Sequence, residues 1–241
     1  MPSAQNKIQI VDTHETSETL AVTRLQRVGY QINRTLLMLC VSDLSCSLGD
    51  RRLFSGVSLT LSPGHCVHIE GDNGVGKTSL LRIVSGLSPA AGGRVDWAGE
   101  PIQVSEAFRA ARMYLGHALA LKEDLSALEN LQFDAAIAGR PLSAHDASAA
   151  LVQLGLRGRE HLPVRVLSQG QKRRAALARL LASRAALWIL DEPLVALDLQ
   201  AQAQVCQILQ THLDAGGMAL VTSHQPLQLS GAHCSKYRLL A

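Results

Sequence analysis

The run Gly71-Asp72-Asn73-Gly74-Val75-Gly76-Lys77-Thr78 fits G-x-x-x-x-G-K-[ST] without a gap. Its flanks constrain the fold more than the pattern itself. His65-Cys66-Val67-His68-Ile69-Glu70 reads as a strand with Val67 and Ile69 on one face, and Thr78 to Val84 reads as a helix ended by Gly86. The loop therefore joins a strand to a helix N-terminus, where unpaired N–H groups and the helix dipole attract phosphate. Glycines at 71, 74 and 76 let the backbone approach the anion. Lys77 can reach the β- and γ-phosphates of a nucleotide, and the Thr78 hydroxyl can ligate Mg²⁺.

A second element answers the first. Ala185-Ala186-Leu187-Trp188-Ile189-Leu190 is continuously apolar, as expected of a parallel strand buried on both faces, and it runs into Asp191-Glu192-Pro193. Carboxylates at the C-terminal end of such a strand lie where open α/β sheets bind ligands. Asp191 is the candidate Mg²⁺ holder and Glu192 the candidate general base for an attacking water, a role worth about 10²–10⁴-fold in rate. An isolated Asp-Glu pair would read equally well as a helix cap. The third element is Leu167-Ser168-Gln169-Gly170-Gln171. Ser168 precedes a helical pattern from Gln169 to Leu181 and fits an N-cap. Gly170, which weakens a helix interior, opens its first turn to an anion.

In this order, Gly71–Thr78, Leu167–Gln171 and Ile189–Pro193 resemble the motifs of the nucleotide-binding subunits of ABC transporters, and the resemblance runs from Met38 to the end of the chain. Val195-Ala196-Leu197-Asp198 is similar to that family's D-loop, with Asp198 at its end. The apolar strand Met218–Ser223 ends at His224, which matches the switch histidine. The resemblance implies an α/β fold: a P-loop NTPase (RecA-like) ABC ATPase core with an N-terminal antiparallel β region and an inserted helical subdomain. It implies ATP and Mg²⁺ as ligands. Gly71, Asp72, Asn73, Gly74, Val75, Gly76, Lys77, Thr78 and Ser79 would bind ATP, Thr78 and Asp191 the metal, with Glu192 and His224 catalytic. It also implies a head-to-tail dimer, in which Leu167, Ser168, Gln169, Gly170 and Gln171 of one copy face the ATP on the other.

Within the family the likeness narrows. Met113-Tyr114-Leu115-Gly116-His117 stands where most ABC ATPases carry a glutamine, so His117 takes the Q-loop position. Together with Leu128-Glu129-Asn130-Leu131, Leu187–Pro193 and Ser223-His224-Gln225-Pro226, this set is similar to the ATPase subunits of the cytochrome c maturation (haem exporter) system. That group's partners are integral membrane subunits, CcmB-like, with CcmC- and CcmD-like proteins as further candidates. Its place is the cytoplasmic face of the bacterial inner membrane. His117 could hydrogen-bond a metal-bound water or bind the metal itself; it also reads as a half-buried histidine at a strand end. The ATPase of another ABC importer or exporter is the alternative. The family's adenine-stacking aromatic is missing: Leu48 falls near the usual place and Phe54, the nearest aromatic, lies too far along the chain. Adenine is then expected on an aliphatic surface, without a stack worth about 1–3 kcal/mol.

Composition agrees with a globular chain. The 241 residues are 47% hydrophobic and only 3% aromatic, so the core should be built of Leu, Ala and Val. A net charge of +3 with no charge runs argues against nucleic acid as a partner, and Arg173 and Arg174 are expected to be solvated. The cysteines (Cys40, Cys46, Cys66, Cys206 and Cys234) form no C-x-x-C, so neither a zinc site nor covalent haem attachment is indicated. Arg179 and Arg184 interrupt the apolar stretch from Ala175 to Leu190, which rules it out as a membrane span. Asp12, Glu15 and Glu18 argue against a signal peptide. Residues 1–37 read as an extension, either a disordered tail or the product of an upstream start. Residues 38–241 read as one ATPase domain with a helical subdomain over about 119–166, in which Ser126 with Glu129 forms a capping box and Ser143 caps another helix. The single set of motifs argues against a two-cassette ribosomal ATPase. A coiled-coil DNA-repair ATPase is excluded by the short span from Thr78 to Leu167.

Overall fold

A computed structural model describes residues 38–230 and 234–240, so the extension expected at 1–37 lies outside the described residues. Two sheets form the frame. β1 (Leu39–Leu48), β2 (Arg51–Leu61), β4 (Gly92–Trp97) and β5 (Glu100–Pro101) make an antiparallel sheet in the order β2-β1-β4-β5. β3 (Cys66–Glu70), β6 (Arg112–Leu115), β7 (Leu187–Asp191), β8 (Met218–Thr222) and β9 (Cys234–Arg238) make a parallel sheet in the order β6-β7-β8-β3-β9.

The uninterrupted apolar strands are explained by a core on each side of the parallel sheet. Successive residues of a strand point to opposite faces. Leu187 and Ile189 of β7, Met218 and Leu220 of β8, and Val67 and Ile69 of β3 enter one cluster, shared with the antiparallel sheet and helix α1 (Lys77–Val84). Trp188, Leu190, Ala219, Val221 and Cys66 enter the other, shared with the remaining long helices. Trp97 and Phe108 pack 5.9 Å apart between the antiparallel sheet and the short helix α2 (Glu106–Ala111). The cores are otherwise mainly Leu, Val, Ile and Ala, as the low aromatic content requires.

Between β6 and β7 the chain is helical. Helix α3 (Ala127–Ile137) begins with a capping box in which Glu129 N–H donates to Ser126 Oγ at 3.1 Å and Ser126 N–H donates to Glu129 Oε2 at 2.8 Å. Helix α4 (Ala144–Gln153) starts at the N-cap Ser143. Both pack on α5 (Gln169–Ala182), with Leu128, Leu131, Leu151 and Leu177 in one cluster. Asn130 is buried. Its amide donates to the carbonyls of Lys122, Leu125 and Ser126, and its Oδ1 accepts from Lys122 N–H, which pins the loop entering α3. Helix α6 (Leu199–Asp214) then leads to β8.

Candidate nucleotide site

β3 delivers the chain into the loop and α1 leaves it. Gly76 is the N-cap of α1, at φ 107°, and a Cβ there would lie 3.0 Å from the Phe54 ring and 3.2 Å from Leu53. Only glycine holds that conformation and that approach together. The same packing settles the aromatic: Phe54, 1% exposed, is a buried support beneath the loop and is unavailable to a ligand. Lys77 Nζ donates to the carbonyls of Gly71 at 2.7 Å and Asp72 at 3.2 Å.

The loop opens on a cavity of about 440 Å³. Asn73, Gly74, Gly76, Lys77, Thr78 and Ser79 supply one wall, and Asp191, Glu192 and His224 the facing one. Leu48, Arg51 and Leu53 of the antiparallel sheet form its rim, with Leu48 74% exposed. Gly71, Asp72 and Val75 belong to the loop but not to this wall; Val75 is buried behind it.

Asp191 ends β7 with 1% exposure, and both its oxygens are held: Oδ2 accepts from Thr78 Oγ1 and Oδ1 from Thr222 Oγ1, each at 2.8 Å. A carboxylate and a hydroxyl at a cavity wall are hard oxygen donors of the kind Mg²⁺ takes. Glu192 follows in a left-handed conformation, φ 51°, fixed by donation from its N–H to Thr222 O at 3.1 Å and Thr222 Oγ1 at 3.0 Å. A non-glycine residue at positive φ next to a site is backbone strain that the surrounding structure must sustain. Its Oε2 accepts from His224 N–H at 3.2 Å. Its Oε1 lies 3.5 Å from His224 Nε2, is buried, and makes no hydrogen bond. Thr222 thus ties the Asp191 carboxylate to the backbone of Glu192. The sequence placed it in a strand and gave no sign of that role beyond a hydroxyl next to Ser223-His224.

Ser168 caps α5. Gln171 N–H donates to Ser168 Oγ at 3.3 Å, and Ser168 N–H to Gln171 Oε1 at 3.0 Å. None of Leu167, Ser168, Gln169, Gly170 or Gln171 lines the cavity beside Lys77 of the same chain. Leu167 is buried in the core, while Ser168 and Gln169 are exposed. Gly170 has a further reason to be glycine: a Cβ there would lie 3.0 Å from the Ala196 carbonyl. Asp198 caps α6, accepting from Ala201 N–H at 2.8 Å, and pairs with Arg174 at 2.5 Å.

The expectation of solvation is wrong for Arg173, while Arg174 is half-buried. Arg173 is 4% exposed and donates to the carbonyls of Asp191 at 3.1 Å, Glu192, Pro193 at 3.4 Å and His117 at 3.4 Å. Burial lowers its pKa, which the carboxylates of Asp191 and Glu192 oppose. Arg174 is held by Asp198. His117 is exposed and does not line the cavity; its backbone, not its ring, is joined to the acidic segment through Arg173.

The sequence and the fold are similar to those of known proteins. The sequence profile of the ABC transporter family matches residues 54–195. A solved Pyrococcus furiosus protein described as an ABC transporter ATP-binding protein superimposes with a TM-score of 0.74 at 25% identity, over 84% of this chain and 97% of its own. A dimeric ATP-binding cassette solved with ADP and Pi shares the fold, with a TM-score of 0.69 at 22% identity over 78% of this chain and 88% of its own. Two curated relatives are named cytochrome c biogenesis ATP-binding export protein CcmA. The one from Methylococcus capsulatus is 52% identical over 80% of this chain and 94% of its own. The one from Pseudomonas aeruginosa is 48% identical over 80% and 95%. The chain belongs to this CcmA family of ABC transporter ATP-binding proteins.

Proposed function

We propose that the protein hydrolyses ATP as the motor subunit of a membrane complex for c-type cytochrome biogenesis, exporting haem or releasing a haem carrier. The carrying observation is the joint held by Thr222: a fixed Asp191 bound to the Thr78 hydroxyl, and a Glu192 with one oxygen free of hydrogen bonds on the same cavity wall. Gly71–Ser79 cradle the phosphates, with Lys77 leaving the loop carbonyls to meet the β- and γ-oxygens. Thr78 and Asp191 hold Mg²⁺, which supplies charge neutralisation at the phosphates when bound. Glu192 accepts a proton from the attacking water, and His224, held by Glu192, orients toward the γ-phosphate.

Because Leu167–Gln171 stand away from their own chain's cavity, they serve a second copy in a head-to-tail dimer, with Asp198 placed beside them through Arg174. Membrane attachment comes from CcmB-like subunits, with CcmC- and CcmD-like proteins in the same assembly at the cytoplasmic face. No helix among the described residues is long and apolar enough to cross a membrane. A cleft of about 610 Å³ between β6, α3 and the end of α5, walled by Met113, Tyr114, Leu131 and Ala135, is the receiving surface for a helix of those subunits. His117 stands at the Q-loop position beyond β6, so its role is to couple that cleft to the acidic segment through Arg173.

Glu192→Gln is the test. It keeps the shape of the wall and removes the base, so ATP binding persists while phosphate release falls about 10²–10⁴-fold, and ATP-loaded dimers accumulate in sedimentation. Turnover at the wild-type rate would reject Glu192 as the base.

A further inference from the structure

Cys66 and Cys234 face each other. They are Cα partners at the start of the neighbouring parallel strands β3 and β9, followed by the pairs Val67↔Ser235 and His68↔Lys236. Partners of this kind direct their side chains to the same face, and both cysteines pack on the same core cluster. Neighbouring strands lie about 4.8 Å apart, inside the 4.4–6.8 Å range of Cα separations that disulfides span. The two thiols interact with each other, and neither is in a disulfide.

The pair is asymmetric. Cys66 is fully buried, and its hydrogen bond to Cys234 together with burial pushes its pKa well up. The pKa of Cys234, at the partly exposed start of β9, is lowered, first by the hydrogen bond from Cys66 and further by the His68 backbone and the Lys236 ammonium. The outer sulfur is the accessible one and the inner sulfur stands behind it, the arrangement in which an exposed nucleophile has a resolving thiol. Among the described residues β9 is bonded to β3 alone, at the edge of the sheet, so it can move the short distance that bond formation needs. No group of three or more metal-ligating side chains is found among the described residues, so the pair is not part of a metal site there.

We propose that Cys66 and Cys234 are an oxidative modification site, closing to a reversible disulfide between β3 and β9 with a peroxide as oxidant. The Cys234 thiolate attacks one peroxide oxygen, the O–O bond breaks, and the departing hydroxide takes a proton to become water. Cys234 is then a sulfenic acid. The Cys66 sulfur attacks the Cys234 sulfur, the S–O bond breaks, and the leaving hydroxide takes the Cys66 proton. Two thiols and one peroxide yield one disulfide and two waters. A dithiol reverses it by exchange. The modification bears on the nucleotide loop because β3 and β9 run together toward it: Leu239 N–H donates to the Glu70 carbonyl at 2.8 Å, and Lys236 pairs with Glu70 at 2.7 Å, one residue before Gly71.

The full-length protein is treated with one equivalent of hydrogen peroxide, alkylated and analysed by peptide mass spectrometry. The expected product has Cys66 and Cys234 joined in one cross-linked peptide pair and Cys40, Cys46 and Cys206 alkylated. Dithiothreitol restores alkylation of both, and Cys234→Ser yields no cross-link while keeping the wild-type melting temperature. Cys40→Ser, Cys46→Ser and Cys206→Ser leave the cross-link intact. The proposal is overturned if both cysteines remain alkylatable after peroxide, if Cys234 proceeds to the sulfinic acid with Cys66 still free, or if another pair links instead. None of these outcomes depends on ATP turnover, so the test is independent of the proposed function.

Discussion

Asp191 illustrates how much a single residue depends on its neighbours. Its carboxylate is buried yet fully engaged by two hydroxyls from different elements, Thr78 on α1 and Thr222 on β8. Replacing Thr222 by Val leaves one oxygen of a buried carboxylate without its donor and leaves the Glu192 N–H only the backbone carbonyl of residue 222. Turnover should fall about tenfold or more, equivalent to ~1.4 kcal/mol in the barrier. Thr222→Ser should stay near wild type, and steady-state phosphate release with both variants checks this. The sequence showed Asp191 and Glu192 because an apolar run ending in acid is a local pattern. Thr222 and Arg173 were hidden because their partners are far away along the chain. An arginine next to another on a helix carries no mark of the buried carbonyls it will meet. The rim is a second case. Leu48 is exposed beside the cavity with Arg51 and Leu53, and Phe54 is buried under Gly76, so the rim offers a base no aromatic ring. GTP should therefore be hydrolysed within about tenfold of ATP, since a stack worth ~1–3 kcal/mol is missing. Parallel assays with the two nucleotides measure it.

At the scale of elements, helix starts were the most legible feature. Ser126 with Glu129, Ser143, and Ser168 before Gln171 all cap helices, because the cap is a short-range bond between residues three apart. What the spacing could not show is why Gly170 sits in α5, since the Ala196 carbonyl that crowds it comes from another segment. The α3 box also has a pH signature. Donation from the Ser126 N–H and hydroxyl holds the Glu129 carboxyl below the usual carboxylate range. A lowered folded-state pKa gives stability that is present above the unfolded value and lost as pH falls through the folded one. Urea midpoints of wild type and Glu129→Gln should therefore differ at neutral pH and converge below that range. A difference that stays constant with pH would contradict the capping role of the charge.

At the scale of the molecule, the parallel sheet explains why its strands read as unbroken apolar runs: each serves two cores, one shared with the antiparallel sheet and one with the helices. That double burial fixes the sheet end at which Asp191, Glu192 and His224 gather opposite the loop. It also leaves Leu167–Gln171 away from that cavity, as the proposed shared site requires. The most direct measurement is ATP hydrolysis by Ser168→Arg alongside its ATP binding. A shared site predicts binding at wild-type affinity through Lys77 and Thr78 with phosphate release abolished, because the arginine blocks the neighbouring copy. Wild-type turnover by that variant would contradict the shared site.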